Sequence, residues 1–401
     1  MLLSKSFFMW YNLNYIPFSP MANPYLPKKL LKIFFVGAGL TLLALIFLVY
    51  HGQLPIRNWF SFWPRAEERP TGTYPKLALY WTSPFMTLEQ AQQASRYDLI
   101  VADMENMINN RASLAVIKNI NPRAKLVAYA NPMEFFNYID PTARPLQAQM
   151  INAAALGGNR WRLRTPAGGP VIFYPGMSMN NLSDWCPAVN GQKWNEYSAN
   201  FFLQRVLFDP IWDGFFLDNA TENISWIYNG WIDADNNGQP DDPMALDKSW
   251  QAGISRFLQV IMDAKGKNFI LIGNKGSLAF LDQTGGKMFE HFPNDYLGDK
   301  KDNGWWQSMS NYAQTGPYSI LNAEEKQGRQ YWQFVLASTL MGDGYFSYGQ
   351  NNLSWFNEYR PLGQPVAAAK KAGDCWERQF TQGKVRACPK NQTGQITYDR
   401  K

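Results

Sequence analysis

The chain of 401 residues is 46% hydrophobic and 17% charged, which excludes an intrinsically disordered protein and leaves room for one large domain or two ordinary ones. Its formal charge of +6 arises in residues 1–65, which hold six basic residues and no acidic one; the remainder is neutral, so the basic balance gives no support to nucleic-acid binding. Two histidines and three cysteines without CxxC spacing exclude His-rich zinc sites and argue against a Ser-His-Asp triad.

In chain order, residues 1–32 read as a cytoplasmic lead, with Met1 or Met21 as the start. Residues 33–50, IFFVGAGLTLLALIFLVY, are eighteen uncharged and mostly apolar residues without a polar stripe. That is within the range of a membrane-spanning helix, which needs about 17–25 residues. Lys28, Lys29 and Lys32 on its N-terminal side place the N-terminus in the cytoplasm and the rest of the chain outside. No A-x-A-like site follows, which favours an uncleaved anchor. Residues 51–75 contain Pro55, Pro64, Pro70 and Gly72 and suit a linker.

From residue 76 onward, short apolar strands alternate with helical patterns. The strands are expected at 76–82, 99–106, 125–132, 213–219, 269–276, 287–293, 317–325 and 342–349. Each is rich in β-branched or aromatic residues and carries polar residues near its C-terminal end. Eight βα units over 76–360 predict an α/β fold, a (β/α)8 TIM barrel of parallel strands behind the single transmembrane helix. An open doubly wound sheet is the alternative, but LYWTSPF after the first strand lacks its Gly-rich fingerprint. Barrel enzymes work at the C-terminal ends of the strands. Two long loops, 133–196 and 220–247, follow the third and fourth strands and would roof that face.

Asp218 ends the fourth strand after GFFL, and Glu290 stands near the end of the sixth after KMF. Acids at the tips of apolar barrel strands can supply the proton donor and the nucleophile or base that glycoside hydrolysis requires. Asp218 is expected as nucleophile or base and Glu290 as acid, with the reverse assignment, and retention or inversion, left open. Asp103 and Glu105 lie two apart at the second strand's end and share a face. With Tyr80, Asn131, Asn274 and Asn322, also at strand tips, they are candidates for binding sugar hydroxyls. Trp81, Trp161 and Trp226 offer apolar ring faces to pyranoses; core packing is the competing use of each.

At DGFFLDN (213–219) the chain resembles the fourth-strand signature of hypothetical glycosyl hydrolase family 15 and, more distantly, the endo-α-1,4-polygalactosaminidase group. Similar segments are LALYWTSPFMTLEQAQQASRYDLIVADMEN (77–106), KMFEHFP with Glu290, EYRPLGQP (358–365) and CWERQFTQGKVRACP (375–389). The resemblance covers about 76–390 in patches. It implies a TIM barrel acting on polysaccharide, with Asp218 and Glu290 as the acidic pair and no catalytic cofactor. The membrane anchor and the long 133–196 insertion depart from the soluble members.

Residues 233–242, DADNNGQPDD, set Asp233, Asp235, Asn237, the Gln239 carbonyl and Asp241 at positions 1, 3, 5, 7 and 9 of a Ca²⁺ loop, with Gly238 at position 6. Position 12 is Met244, so Asp242 or Asp247 would have to close the site; a structural Ca²⁺ is expected, stiffening the loop. The competing use is a solvated acidic turn. In the extension 361–401, Cys375 and Cys388 flank an expected hairpin turning at Gln382-Gly383 and can pair outside the membrane. Pairing of either with Cys186 is equally open. Five glycosylation sequons include Asn219, beside Asp218, where a glycan would block the cleft; this favours a bacterial host. The expected protein is therefore a membrane-anchored extracytoplasmic glycoside hydrolase of a cell-surface or matrix polysaccharide, with no nucleic-acid partner. The alternative is a non-catalytic polysaccharide-binding protein on the same barrel.

Overall fold

The computed structural model describes residues 73–293 and 304–399. The expected anchor, 33–50, lies outside them; among the described residues no helix is long and apolar enough to cross a membrane. In chain order the strands are β1 (Lys76–Trp81), β2 (Leu99–Asp103), β3 (Lys125–Ala130), the short β4 (Glu134–Phe136) and β5 (Met177–Met179), β6 (Gly214–Leu217), β7 (Ile270–Asn274), β8 (Gly286–Phe289), β9 (Ile320–Ala323) and β10 (Tyr345–Tyr348). A closing set follows: β11 (Lys370–Ala372), β12 (Cys375–Phe380), β13 (Gly383–Cys388) and β14 (Thr393–Tyr398).

All eight strands expected from the apolar runs form, and they close on themselves in the order β1-β10-β9-β8-β7-β6-β3-β2. Every neighbouring pair is parallel. Alternation along each strand sorts its side chains between two apolar layers. Ala78, Tyr80, Val101, Val127, Phe216, Ile272, Met288 and Ile320 fill the barrel interior. Leu79, Trp81, Leu126, Phe215, Leu217 and Phe289 face outward and join the core beneath the helices. Those helices include α1 (Leu88–Ala94), α2 (Arg111–Ile120), α3 (Pro145–Leu156), α4 (Trp194–Arg205), α5 (Pro243–Lys265), α6 (Trp305–Tyr312) and α7 (Gly328–Thr339). Thr87 caps α1 through a reciprocal pair of contacts with Gln90. α5 begins earlier than its apolar spacing alone indicates, because Asp242 accepts a hydrogen bond from Ala245 N and Pro243 occupies the first turn. At the N-terminal end of the barrel, Asp213 accepts from Lys118 Nζ and from Leu126 N, so that carboxylate is structural.

The 133–196 insertion packs into the same hydrophobic core as the outer faces of the barrel strands. Trp161, Trp194 and Tyr197 pack ring on ring, with centroids 4.7–5.7 Å apart. Trp194 also meets Phe135 edge to face. β4 and β5 pair into a ribbon above the barrel. The C-terminal strands β11–β14 form an antiparallel sheet. Its Phe380, Val385 and Ala387 are buried in the same core as α7. Cys375 and Cys388 are bonded across β12 and β13, while Cys186 is a buried free thiol.

Gly253, on α5, fastens the insertion to the barrel wall. A Cβ there would stand 1.7 Å from the Leu182 carbonyl oxygen, and backbone cannot yield as a flexible side chain does. Gly253→Ala should therefore destabilise by about 1–3 kcal/mol, the usual cost of overpacking. Urea unfolding measures it, and an unchanged midpoint would contradict the close approach.

Candidate active site

The alternation that builds the barrel also aims its tips. Phe216, Ile272 and Met288 point inward, so the residues two further on, Asp218, Asn274 and Glu290, do so as well. The Asn274 Nδ2 amide stands between the acids, 2.7 Å from Asp218 Oδ1 and 2.8 Å from Glu290 Oε2. The two oxygens are therefore no further apart than these two contacts laid end to end. Both carboxylates are partly exposed. Among the described residues neither forms an ion pair with Lys or Arg.

Their surroundings differ. Asp218 accepts three hydrogen bonds, from Tyr129 Oη at 2.5 Å, from Asn219 N at 2.8 Å and from Asn274. Burial pushes Glu290 above the usual glutamate range, and the negative charge of Asp218 adds to this; Asn274 opposes it. Tyr80 and Tyr129 form the floor with Phe216, their rings 5.7–5.9 Å apart. Burial first, then the charge of Asp218, keeps both phenols protonated.

The residues immediately after the three tips all have positive φ without being glycine: Asn219 at 53°, Lys275 at 150° and His291 at 58°. Asparagine and histidine are among the residues that adopt this conformation most readily, whereas lysine is strained at its angle. The chain turns sharply at each tip, which keeps the preceding side chain over the barrel mouth.

A third carboxylate, Glu134, joins the site from the start of β4. Its Oε2 accepts from Asn219 Nδ2 at 2.7 Å and its Oε1 from Tyr174 N at 3.2 Å. Burial raises it to about 7, and the charge of Asp218 contributes. Beside Asp218, a cavity of about 140 Å³ is lined by Tyr129, Asn131, Glu134, Asp103, Arg144 and Gln350, among others. Sequence reasoning missed Glu134, Tyr129 and Arg144. Glu134 stands in a loop without an apolar run to mark it, though Tyr129 occupies an inward position of β3 that its spacing from Val127 would have revealed.

The other candidates divide. Asn131 lines the cavity, its Oδ1 accepting from Met133 N and Glu134 N. Asp103 lines it too, but both its oxygens are engaged, by Glu105 N and Arg144 Nη1, each at 2.9 Å. Glu105 is not a substrate ligand: it is fully buried and its oxygens accept from Leu146 N and Gln147 N, closing the first turn of α3. Asn322 is buried and its amide ties β9 to Ser347 and Gly349 of the neighbouring strand. Trp81 is one residue out of phase with Tyr80, so it faces the helices, buried, with Nε1 bonded to Phe85 O. Trp161 belongs to the core shared with the barrel's outer face. Of the three tryptophans, only Trp226 is exposed, edge-on to Phe173 at 5.5 Å.

In the acidic loop, oxygens of Asp233, Asp235 and Asp241 lie within 4.8 Å of one another. Asp233 accepts from Asn237 N and Gly238 N, and Asn237 Oδ1 from Gln239 N. Asp242 caps α5, while Asp247 holds Ile224 N and Ser225 N, so neither closes the cluster.

The model of hypothetical glycosyl hydrolase family 15 matches residues 118–384. Among solved structures, the chain is similar to the glycoside hydrolase domain of PelA from Pseudomonas aeruginosa, with 14% identity, 70% of this chain and 96% of that one covered and a TM-score of 0.43. It is also similar to the dextranase FjDex31A of Flavobacterium johnsoniae, at 13% identity over 75% of this chain and 39% of that one, TM-score 0.42. A third is the maltogenic α-amylase AmyB of Thermotoga neapolitana, at 9% identity over 78% and 86%, TM-score 0.44. No curated protein matches. With a closed parallel barrel, acids at the tips of its fourth and sixth strands and a family match over most of that barrel, the chain belongs to hypothetical glycosyl hydrolase family 15.

Proposed function

We propose that the chain is a retaining glycoside hydrolase acting on a cell-surface or matrix polysaccharide. The observation that carries this reading is the single Asn274 amide shared by Asp218 and Glu290. An amide that reaches both holds their oxygens within the separation of a retaining pair, about 5–5.5 Å, and leaves no room between them for the attacking water that inversion needs, at about 6.5–9.5 Å. The two environments support a division of roles. Asp218, with three donors, is the nucleophile. Glu290, whose pKa is raised by burial and by its negative neighbour, is the acid. Glu290 gives its proton to the glycosidic oxygen as Asp218 attacks the anomeric carbon, and the leaving sugar departs. A covalent glycosyl–Asp218 ester remains. Glu290, now ionised, takes a proton from water, the water oxygen displaces Asp218, and both carboxyls regain their starting states. The absence of Lys or Arg pairing at either acid, among the described residues, speaks against the non-catalytic alternative.

Reducing-sugar release from a panel of bacterial polysaccharides tests the reading. The wild-type chain should cleave at least one; Asp218→Asn should cleave none, and equal release would remove Asp218 from the mechanism. Glu290→Gln should lose about 10²–10⁴-fold. Azide should rescue Glu290→Ala as a glycosyl azide of retained configuration, whereas an inverted product would refute the double displacement. Activity should fall as pH rises through the elevated pKa of Glu290, so the basic limb lies above the ordinary glutamate range.

We further propose that residues 33–50 anchor the chain, with the barrel outside the cytoplasm. Their length and lack of charge, and the lysines before them, support this. The full chain should sediment with membranes after a high-salt wash, and a chain lacking residues 1–50 should stay in solution; a soluble full chain would rule the anchor out.

The acidic loop is proposed to hold a structural Ca²⁺ through Asp233, Asp235, Asn237, the Gln239 carbonyl and Asp241. All would be hard oxygen donors, as Ca²⁺ prefers, and a cation would offset the repulsion of three clustered carboxylates. Chelation should lower the melting temperature, and Asp233→Asn should remove that dependence. A melting temperature unaffected by chelator would dismiss the ion.

A further inference from the structure

The insertion carries a second concave surface. Around Arg162 and Arg164 the chain is extended: Arg162 bridges to Asn180, and Arg164 to Pro170 and to Asp233 of the acidic loop. Its residues alternate: Trp161, Leu163 and Thr165 are buried, while Arg162 and Arg164 between them are partly exposed. Both arginines therefore point to one side. There they line a groove of about 250 Å³ with Asn159, Gly168, Pro170 and Ser178, and no acidic side chain lines it. A water occupies about 30 Å³ of liquid, so the groove admits a group several waters in size.

The groove is distinct from the cavity beside Asp218. Met177 and Ser178 are neighbours on β5 and face opposite ways; Met177 lines the cavity and Ser178 the groove. The guanidinium of Arg162 lies 5.0 Å from the ring centroid of Phe135, whose ribbon separates the two spaces. Its Nη1 donates to Asn180 Oδ1 at 2.9 Å. Arg164 Nη2 donates to the Asn159 carbonyl at 3.1 Å. Both are thus oriented by neutral acceptors. Neither has a carboxylate within ion-pair distance among the described residues, although thirteen such pairs form elsewhere in them. A guanidinium has five donors in a planar fork that matches oxyanions, and a single neutral acceptor engages only part of that fork.

We propose that this groove is a surface binding site for anionic polysaccharide, in which Arg162 and Arg164 take the carboxylate or sulfate groups of the chain. It lies across the ribbon from four acids, Asp103, Glu134, Asp218 and Glu290, which would repel the same groups. The site therefore holds an anionic strand on the surface and does not depend on the hydrolase assignment.

Fluorescence anisotropy of the full-length Asp218→Asn chain in detergent, titrated into labelled polygalacturonate and labelled heparin, tests it without cleavage of the probe. At least one polyanion should bind, and the one that does identifies carboxylate or sulfate. Unlabelled dextran should not compete. Arg164→Gln should weaken binding on the order of tenfold, as loss of a charged hydrogen bond does. Raising NaCl to about 0.5 M should weaken it too. Arg162→Lys, which keeps the charge and loses the fork, should fall between wild type and Arg164→Gln. The proposal is overturned if neither polyanion binds, if dextran competes as well, if both arginine variants bind as the parent does, or if inorganic sulfate at equal charge displaces the polymer completely, which would leave a bare anion site only. Loss of hydrolysis elsewhere would not alter these readings, and loss of binding would leave the hydrolase reading intact.

Discussion

Two carboxylates repel each other, and a barrel mouth that brings them together must supply what keeps them there. Here the opposing force is one amide. Asn274 donates to Asp218 and to Glu290 from the strand that runs between theirs in the barrel. The remaining donors are unequal: Asp218 also receives Tyr129 and its own neighbour's N–H, whereas Glu290 is left to burial. The same closeness that threatens the site thus adds to burial in raising the pKa of Glu290. The chain turns after each tip, and at Lys275 it takes a backbone conformation that lysine does not ordinarily adopt, which the surrounding structure must enforce.

Much of the architecture is legible in the sequence because a barrel strand is an apolar run bounded by polar punctuation. All eight runs become the eight barrel strands, and the acids at the ends of GFFL and KMF reach the mouth. What separates the tip residues that reach the barrel mouth from those that do not is phase. Tyr80 and Trp81 are adjacent at the end of β1, yet one forms the floor of the site and the other packs under the helices. Counting in twos from the inward residues of each strand selects Tyr129, Asp218, Asn274 and Glu290 and rejects Trp81. That count needs the barrel's interior to be known first, since a strand buried on both faces shows no alternation in its sequence.

The other misreadings share a different cause: in a long insertion, residue type does not reveal direction. Trp161 resembles a sugar platform in composition, but a loop of this length must bury apolar side chains, and Trp161 does so against Trp194 and Tyr197 in the core shared with the barrel's outer face. Glu105 stands at a strand end like Asp218, but the chain returns over it, and the amides of Leu146 and Gln147 claim both oxygens. Glu134 was invisible for the converse reason. Its neighbours in sequence are a turn, and only the pairing of β4 with β5 carries it to Asn219.

The insertion is therefore more than a cover. One face of its ribbon contributes Glu134 and closes a cavity lined by Asp103, Arg144 and Glu134 among others; the other borders the groove of Arg162 and Arg164. Both signs of charge meet on each side: Arg144 pairs with Asp103 in the cavity, and Asp233 is bridged to Arg164 beside the groove. What differs is the group held by neutral partners, Glu134 by Asn219 and the Tyr174 amide on one side, Arg162 and Arg164 by Asn180 and the Asn159 carbonyl on the other. Gly253, where α5 touches the Leu182 carbonyl, sets how firmly these two faces are held relative to the barrel.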